Sequence, residues 1–405
     1  MSSFHRLSGL NGDRRQLAIV GFCAALVLIW SALVFYNGQV QNGLVIGDWL
    51  LDYRQGFVRR GLIGEMLSML SAASHIPVTV CVSLAQAAAY GLFLFCFVNV
   101  MAERHKPFWY MLLVFSPAAL IFSYFGVSEA GRKEVLHFAL LSWFVWALSA
   151  HKVTWGRTLA WMAMSAAITL SHELVVFYQP YYLIAALAVS TQRREAMRAA
   201  ILIALSSCVA AASVLLWAKP LDSVAFCDSL MQSGMSSTSC QGIVLWRYQS
   251  LASSIATTVE VIDMYAYVKV YALALLLMLA PVFVWLRRYE PGVVRRQLAW
   301  FVLAWAWSVP IFILAVDWGR FIQIHFMSAM IVLALRLRRQ AVPREGVSVP
   351  RFRMPSARLR WVLALVCVLA PTFWRMPVCC ETEIGGGFIG KASKVTASIM
   401  HVAGL

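Results

Sequence analysis

Apolar runs of roughly 17 to 25 residues recur along the whole of this 405-residue chain. No other feature limits the fold as much. Inside a bilayer each backbone N–H and C=O must find its partner within the protein, so runs of this kind cross as helices. Charge is thin. Asp, Glu, Lys and Arg make up 13% of residues, against about 25% in soluble domains. No stretch reads as a separate soluble unit. The expected fold is therefore all-α and polytopic, a single transmembrane domain over 1–405.

The runs predict about eleven helices. They fall near 16–36, 79–101, 108–124, 135–150, two short ones within 158–190, then 199–218, 264–286, 297–316, 321–335 and 361–374. Residues 158–190 are too long for one span at about 1.5 Å per residue, so they divide at Ser171-His172-Glu173. The first run, Gln16 to Tyr36, is too long for a signal-peptide core and lacks a closing small-x-small site. It reads as a retained anchor. Leu62 to Ile76 puts Ile63, Met66, Leu67 and Leu70 on one helical face and Glu65 and Ser68 elsewhere, the pattern of a helix lying in the interface. Pro117, Pro180, Pro281 and Pro310 fall within helices and read as kinks.

A net charge of +16 would suggest nucleic acid in a soluble protein. Here topology accounts for it. With the N-terminus in the cytoplasm, the inner segments hold 22 of the 34 Lys and Arg and five of the 18 acids. Arg104, Lys106, Arg193, Arg194, Arg198, Arg287, Arg288 and the 336–360 loop all fall inside. The outer side, with loops 37–78 and 219–262 and the tail 375–405, is then nearly neutral. This is the positive-inside pattern, and it removes the argument for nucleic acid.

Cysteine usage agrees. Cys23, Cys81, Cys96, Cys208 and Cys367 fall within helices, while Cys227, Cys240, Cys379 and Cys380 fall outside, where disulfides persist. Cys227 and Cys240 share one loop and are the favoured bridge. A zinc site from the four is the weaker alternative, because adjacent cysteines fit the usual C-x₂-C spacing poorly.

The same threading gathers acid and base at one face. Asp48, Asp52, Arg54, Arg59 and Arg60 follow the first helix, within the stretch Gly47 to Gly61. Glu129, Arg132, Lys133 and Glu134 lie between the third and fourth helices. His172 and Glu173 mark the break, and Asp317 and Arg320, with His325 beyond, follow the ninth helix. Charge at a bilayer edge is costly and usually functional. A carboxylate beside arginines suits a general base facing a phosphate clamp. The structural alternatives are real: outer Arg and Lys anchor helices to headgroups, Asp317 and Arg320 can pair with each other, and Glu173 can satisfy His172. Tyr178, Tyr181, Tyr182 and Trp246 could stack on sugars, but belt or core packing is the commoner role.

Several chemistries are excluded. The chain has no G-x-x-x-x-G-K-[ST], no H-E-x-x-H and no G-x-S-x-G. No internal repeat of the transporter kind stands out.

The layout resembles polytopic GT-C-type glycosyltransferases: a cytoplasmic N-terminus, an outer acid after the first helix, then an interfacial helix. It also resembles O-antigen polymerases, with a similar helix count and outer arginines. The residues that carry the likeness are Asp52-Tyr53-Arg54 with Gly56-Phe57-Val58-Arg59-Arg60-Gly61, Gly131-Arg132-Lys133, His172-Glu173 and Asp317-Trp318-Gly319-Arg320. The chain departs from the first family in having no large C-terminal soluble domain and no clear metal-binding acid pair. It departs from the second in its modest outer loop.

The resemblance implies a transferase at the periplasmic face of a bacterial inner membrane, using polyprenyl phosphate- or diphosphate-linked sugars in surface-glycan assembly. Asp52 or Asp48 is then expected to act as base. Arg54, Arg59, Arg60, Arg132, Lys133 and Arg320 would hold phosphate, and His172, Glu173 and Asp317 would position the sugar. Arginine neutralisation makes a cofactor unnecessary; Mg²⁺ is the ion such a site would take if it took one. The competing expectations are a transporter of a polar or anionic solute, for which His137 and Lys269 are the deeper ionisable groups, and a non-catalytic subunit docking other envelope-assembly proteins.

Overall fold

A computed structural model describes residues 14–101, 110, 113–125, 129–150, 152–189, 192–240, 242, 251–286, 291–339, 365, 369, 371–381 and 387. The expected loop 340–360, most of the expected helix 361–374, the tail beyond 381 save 387, Arg104, Lys106, Arg287, Arg288 and Trp246 lie outside the described residues.

The helices are α1 (Arg14–Val40), α2 (Ile46–Trp49), α3 (Gly61–Ser74), α4 (Val78–Met101), α5 (Glu134–Ser149), α6 (Trp155–Ser171) and α7 (Pro180–Ala188). They continue as α8 (Arg193–Trp217), α9 (Ser223–Gln232), α10 (Leu251–Met264), α11 (Tyr267–Leu286), α12 (Pro291–Trp307), α13 (Val309–Leu314) and α14 (Trp318–Arg339). Among the described residues, β structure is limited to one isolated parallel bridge, Val58 to Lys219.

Among the described residues, four helices are long and apolar enough to cross a membrane: Gly21–Val40, Val78–Met101, Arg193–Trp217 and Trp318–Leu335. A fifth results if α10 and α11, bent by 73°, form one span. The eleven expected are thus not confirmed, and for several of the described helices length is the reason. Helix α5 has 16 residues and α7 has nine. They reach about 24 and 14 Å, against a hydrocarbon core of about 30 Å.

Proline explains the other departures. The helix expected over 108–124 gives way to turns at Ser116–Pro117 and a 3₁₀ segment, Leu120–Tyr124. Pro117 lacks an N–H and disfavours the helical conformation at Ser116. The expected 297–316 helix is broken at Ser308, two residues before Pro310. The break at 171–173 is where it was expected: a 3₁₀ segment, Glu173–Tyr178, leads into α7. Pro180 occupies the first turn of α7, where its missing N–H costs nothing. The region 219–262 is not an open loop. It contains α9, whose N-cap Asp222 accepts from Val224 N and Ala225 N, and most of α10.

Helix α14 is the central post, with 89% of its apolar window buried. It packs on α4, α5 and α7; α4 in turn packs on α1 and α5, and α6 packs on α8. The α6–α8 contact is close because α8 offers Ala196, Ala199 and Ala200, all buried. Thr169 and Ser207 hydroxyls meet there at 2.7 Å. Helix α3 buries Gly61, Gly64 and Leu67 and exposes Met66, Met69 and Leu70. Half of the face read from the sequence is thus turned outward.

Several loops share one end of the bundle. Gln55 and the Asp222 backbone exchange two hydrogen bonds of 3.0 Å. Ser236 N donates to Gln41 Oε1 at 2.6 Å, and Lys219 N donates to Phe57 O at 2.7 Å. Cys227 and Cys240 are disulfide-bonded, as are the neighbours Cys379 and Cys380. In this state none of the four offers a thiolate to zinc. The strap 374–381 lies on the start of α14, where a Cβ on Gly319 would stand 1.7 Å from Pro377 O.

Candidate functional site

Three chain turns carry the charged residues inward. The first is the 41–60 loop. Its last residue, Arg60, has φ +66°. A non-glycine residue in that region costs about 1 to 2 kcal/mol and is held only by its surroundings. Those surroundings are carboxylates. Arg60 Nε donates to Glu173 Oε2 at 2.8 Å, and its Nη1 lies 3.4 Å from Asp48 Oδ1. Arg59 Nη2 approaches the other Glu173 oxygen at 3.4 Å. Burial alone would lower the Arg60 pKa; Glu173, Asp48 and Glu134 outweigh it and raise it above the usual arginine value.

The second turn, 129–134, is pinned by buried side chains. Gly131 has φ +79°, and a Cβ there would sit 2.9 Å from Gln86 Nε2. Trp49 Nε1 and Gln86 Nε2 both donate to the Gly131 carbonyl, at 2.7 and 2.8 Å. Asn37 Nδ2 donates to Ala130 O at 3.3 Å. The turn thereby aims Lys133, which donates to Arg60 O at 3.2 Å and lies 3.9 Å from Asp48 Oδ2. Arg132, only partly buried, donates to Leu44 O at 2.9 Å. Its pKa is lowered, first by burial and then by the nearby charge of Arg320.

The third group joins the break to the start of α14. Arg320 Nε stands 3.0 Å from Glu134 Oε1, and its Nη2 stands 3.4 Å from Asp317 Oδ2. His172 Nε2 is 3.4 Å from the same Glu134 oxygen. These contacts are close in distance, yet neither Glu134 oxygen nor Arg320 Nε has hydrogen-bond geometry with a partner. The Glu134–Arg320 contact is an ion pair, not a locked bond.

Thus nine of the expected site residues, Asp48, Arg59, Arg60, Arg132, Lys133, His172, Glu173, Asp317 and Arg320, come together from four separate loops. Asp52 and Arg54 do not join them. The Asp52 carboxylate takes Arg54 N at 3.1 Å and Arg54 Nε at 2.6 Å, closing a local turn.

A narrow cavity of about 20 Å³, room for roughly one water, opens beside this layer. Its lining combines the polar side chains Glu129, Arg132, Glu134, Arg320 and Gln323 with the apolar Trp30, Tyr90, Phe93, Phe122, Phe138 and Met327. Trp30 and Tyr90 are stacked at 4.2 Å. Neither Asp48 nor Asp52 is on the wall. Among the described residues, no three His, Cys, Asp or Glu side chains converge to hold a metal ion.

Residues 17–241 match the model of the family described as Uncharacterised membrane protein Rv1490. The chain belongs to that family. More than half of it is covered, and it is a membrane protein. The Rv1490 match contains Asp48, Arg60, Lys133, Glu134, His172 and Glu173 but stops before Asp317 and Arg320. No curated protein and no solved structure matches the chain.

Sequence reasoning saw Glu129 and Glu134 as charges but gave them no role, and it passed over Gln86, Trp49 and Trp30. Gln86 had a legible signal, since an amide in the middle of a 24-residue apolar helix needs a partner. His137 and His325 are fully buried below the charged layer. His137 Nε2 meets Ser328 Oγ at 3.1 Å, while His325 meets Tyr181 OH at 2.9 Å and Ser308 Oγ at 2.6 Å.

Proposed function

We propose that this protein is a membrane glycosyltransferase acting on polyprenyl phosphate- or diphosphate-linked sugars in surface-glycan assembly, by single-sugar or repeat-unit transfer. The observation that carries the reading is the lining of the cavity, which combines two arginines with aromatic side chains. That lining suits an amphiphile with an anionic head and an unsaturated hydrocarbon tail, which enters as the cavity widens. Arg132 and Arg320 take the phosphate, in the planar geometry guanidinium favours. Glu129 is the carboxylate placed to accept a proton from an acceptor hydroxyl. Asp48, Arg60, Lys133 and Glu173 form the frame that holds them.

The site then faces the periplasm of a bacterial inner membrane. The N-terminus is cytoplasmic, about eleven segments enter the bilayer counting the short ones, and α3 lies in the interface where a lipid-linked substrate arrives. A polyprenyl phosphate bearing a diazirine near its head tests the reading. Photolysis should label α1 and α4 around Trp30 and Tyr90, and excess unlabelled lipid should abolish the labelling. Labelling confined to the outer surface of the bundle would reject it.

One observation favours a second reading, transport of an anionic solute. His137 and His325 are ionisable groups buried in the bundle, where carriers place theirs. Solute flux in proteoliposomes with no change in any cellular glycan would establish it instead.

A further inference from the structure

The polar lining of the cavity is electrically balanced as it stands. Glu129 and Glu134 face Arg132 and Arg320. Arg320 is already engaged, by Glu134 at 3.0 Å and by Asp317 at 3.4 Å. A phosphate that takes the Nε edge of Arg320 displaces Glu134 from it. That leaves a carboxylate buried in protein, 5% exposed, without its main counter-charge. An uncompensated buried carboxylate is expensive, and the group neutralises instead.

We propose that anion binding in this cavity is coupled to the uptake of one proton by Glu134, with His172 as the group that passes it on. The inference rests on the cavity of the proposed function being an anion site, and on nothing else in that reading. The balance is simple. The Glu134 carboxylate plus one proton becomes the carboxylic acid; the Arg320 guanidinium keeps its charge and exchanges a carboxylate for a phosphate oxygen. The net charge of the occupied site changes by one unit less than the charge of the ligand.

Three observations converge on this. The Glu134–Arg320 contact lacks hydrogen-bond geometry on both sides, so it separates without breaking an aligned bond. His172 Nε2 is 3.4 Å from Glu134 Oε1, while its Nδ1 is buried without a hydrogen-bond partner. Arg132 and Arg320 are close enough for each to feel the other's charge, a repulsion that a shared anion relieves. The groups facing Glu134 are Arg320 from α14, His172 from the break after α6, Tyr178 from the following 3₁₀ segment, Arg132 from its own turn, His137 from α5 and Arg60 from the first loop. Of these, His172 is the imidazole that reaches the Glu134 carboxylate, at 3.4 Å.

The coupling fixes a pH dependence. If one proton enters with the anion, affinity strengthens about tenfold for each pH unit lowered. The test is titration calorimetry of the full-length protein in detergent with farnesyl phosphate, between pH 7.5 and 9, where the phosphate remains dianionic. Each titration is run in two buffers of different ionisation enthalpy, with and without Mg²⁺. The expected result is uptake of about one proton per phosphate bound and the tenfold slope. Glu134→Gln should bind more tightly, with no proton uptake and no slope.

The wild-type titration decides even where the variant fails to fold. Binding with no proton exchange and no slope overturns the coupling and leaves the lipid-phosphate reading standing. Binding that needs Mg²⁺ and releases or takes up no proton overturns it too, in favour of a metal counter-ion. An absence of binding at every pH overturns both.

Discussion

Arg60 and Glu173 lie 113 residues apart in sequence, and their side chains meet at 2.8 Å with both residues at most 9% exposed. This one contact ties the loop after α1 to the break between α6 and α7. Asp48 and Arg59 flank the pair at 3.4 Å each, so it sits at the centre of a small, largely buried charge network. A buried charge deprived of its partner costs about 3 to 5 kcal/mol, while replacing both by apolar groups costs far less.

Arg60→Met and Glu173→Met should therefore each lower stability by about 3 to 5 kcal/mol. The double variant should recover a good part of the loss. Thermal unfolding of the four proteins in detergent gives the coupling directly. Additive losses would show that the pair is not linked energetically.

Gly131→Ala places a methyl 2.9 Å from Gln86 and forces a left-handed residue to carry a side chain. The cost of the backbone alone is about 1 to 2 kcal/mol. Displacing the turn should also release Trp49, whose indole now donates to the Gly131 carbonyl. A red shift of tryptophan emission should accompany the loss of stability, and Trp49→Phe should lose the stability without a further shift on adding Gly131→Ala.

Asp52 pairs with Arg54 within its own turn, away from the cavity, whereas Arg320 lines it. In cells lacking the native protein, Asp52→Asn should restore the glycan profile. Arg320→Gln and Glu129→Gln should not, though their membrane levels stay normal. Loss with Asp52→Asn alone would return the base role to the residue expected from sequence.

Cys227 and Cys240 close a short loop, with 13 residues of separation. A loop of about this size contributes roughly 3 kcal/mol when cross-linked. The Cys227→Ser/Cys240→Ser protein should unfold at lower temperature, as should reduced wild type, and a reductant should not lower the variant further. Equal melting of all forms would show that the bridge stabilises nothing.

The membrane class was legible because apolar runs are summed over the whole chain. The meeting of Arg60, Lys133, Glu173 and Arg320 was legible in part, because the same threading put their loops on one face. Which acid faces the cavity was not. Asp52 and Glu134 look alike in sequence; only a two-residue turn to Arg54 and a long-range approach by Arg320 separate them. The span count is not confirmed for a local reason. Composition finds apolar segments, but Pro117, Pro310 and the break at His172 decide whether such a segment is one long helix or two short ones. The Gly131 turn was invisible because its cause lies in side chains 45 and 82 residues away.

Mass spectrometry of polyprenyl-linked and surface glycans tests the central claim most directly. It compares a strain lacking this protein with strains restored by wild type or by Arg320→Gln. The account predicts a glycan missing one sugar, or an accumulation of complete single repeat units, corrected by wild type and not by Arg320→Gln. Glycans identical in all three strains would contradict it.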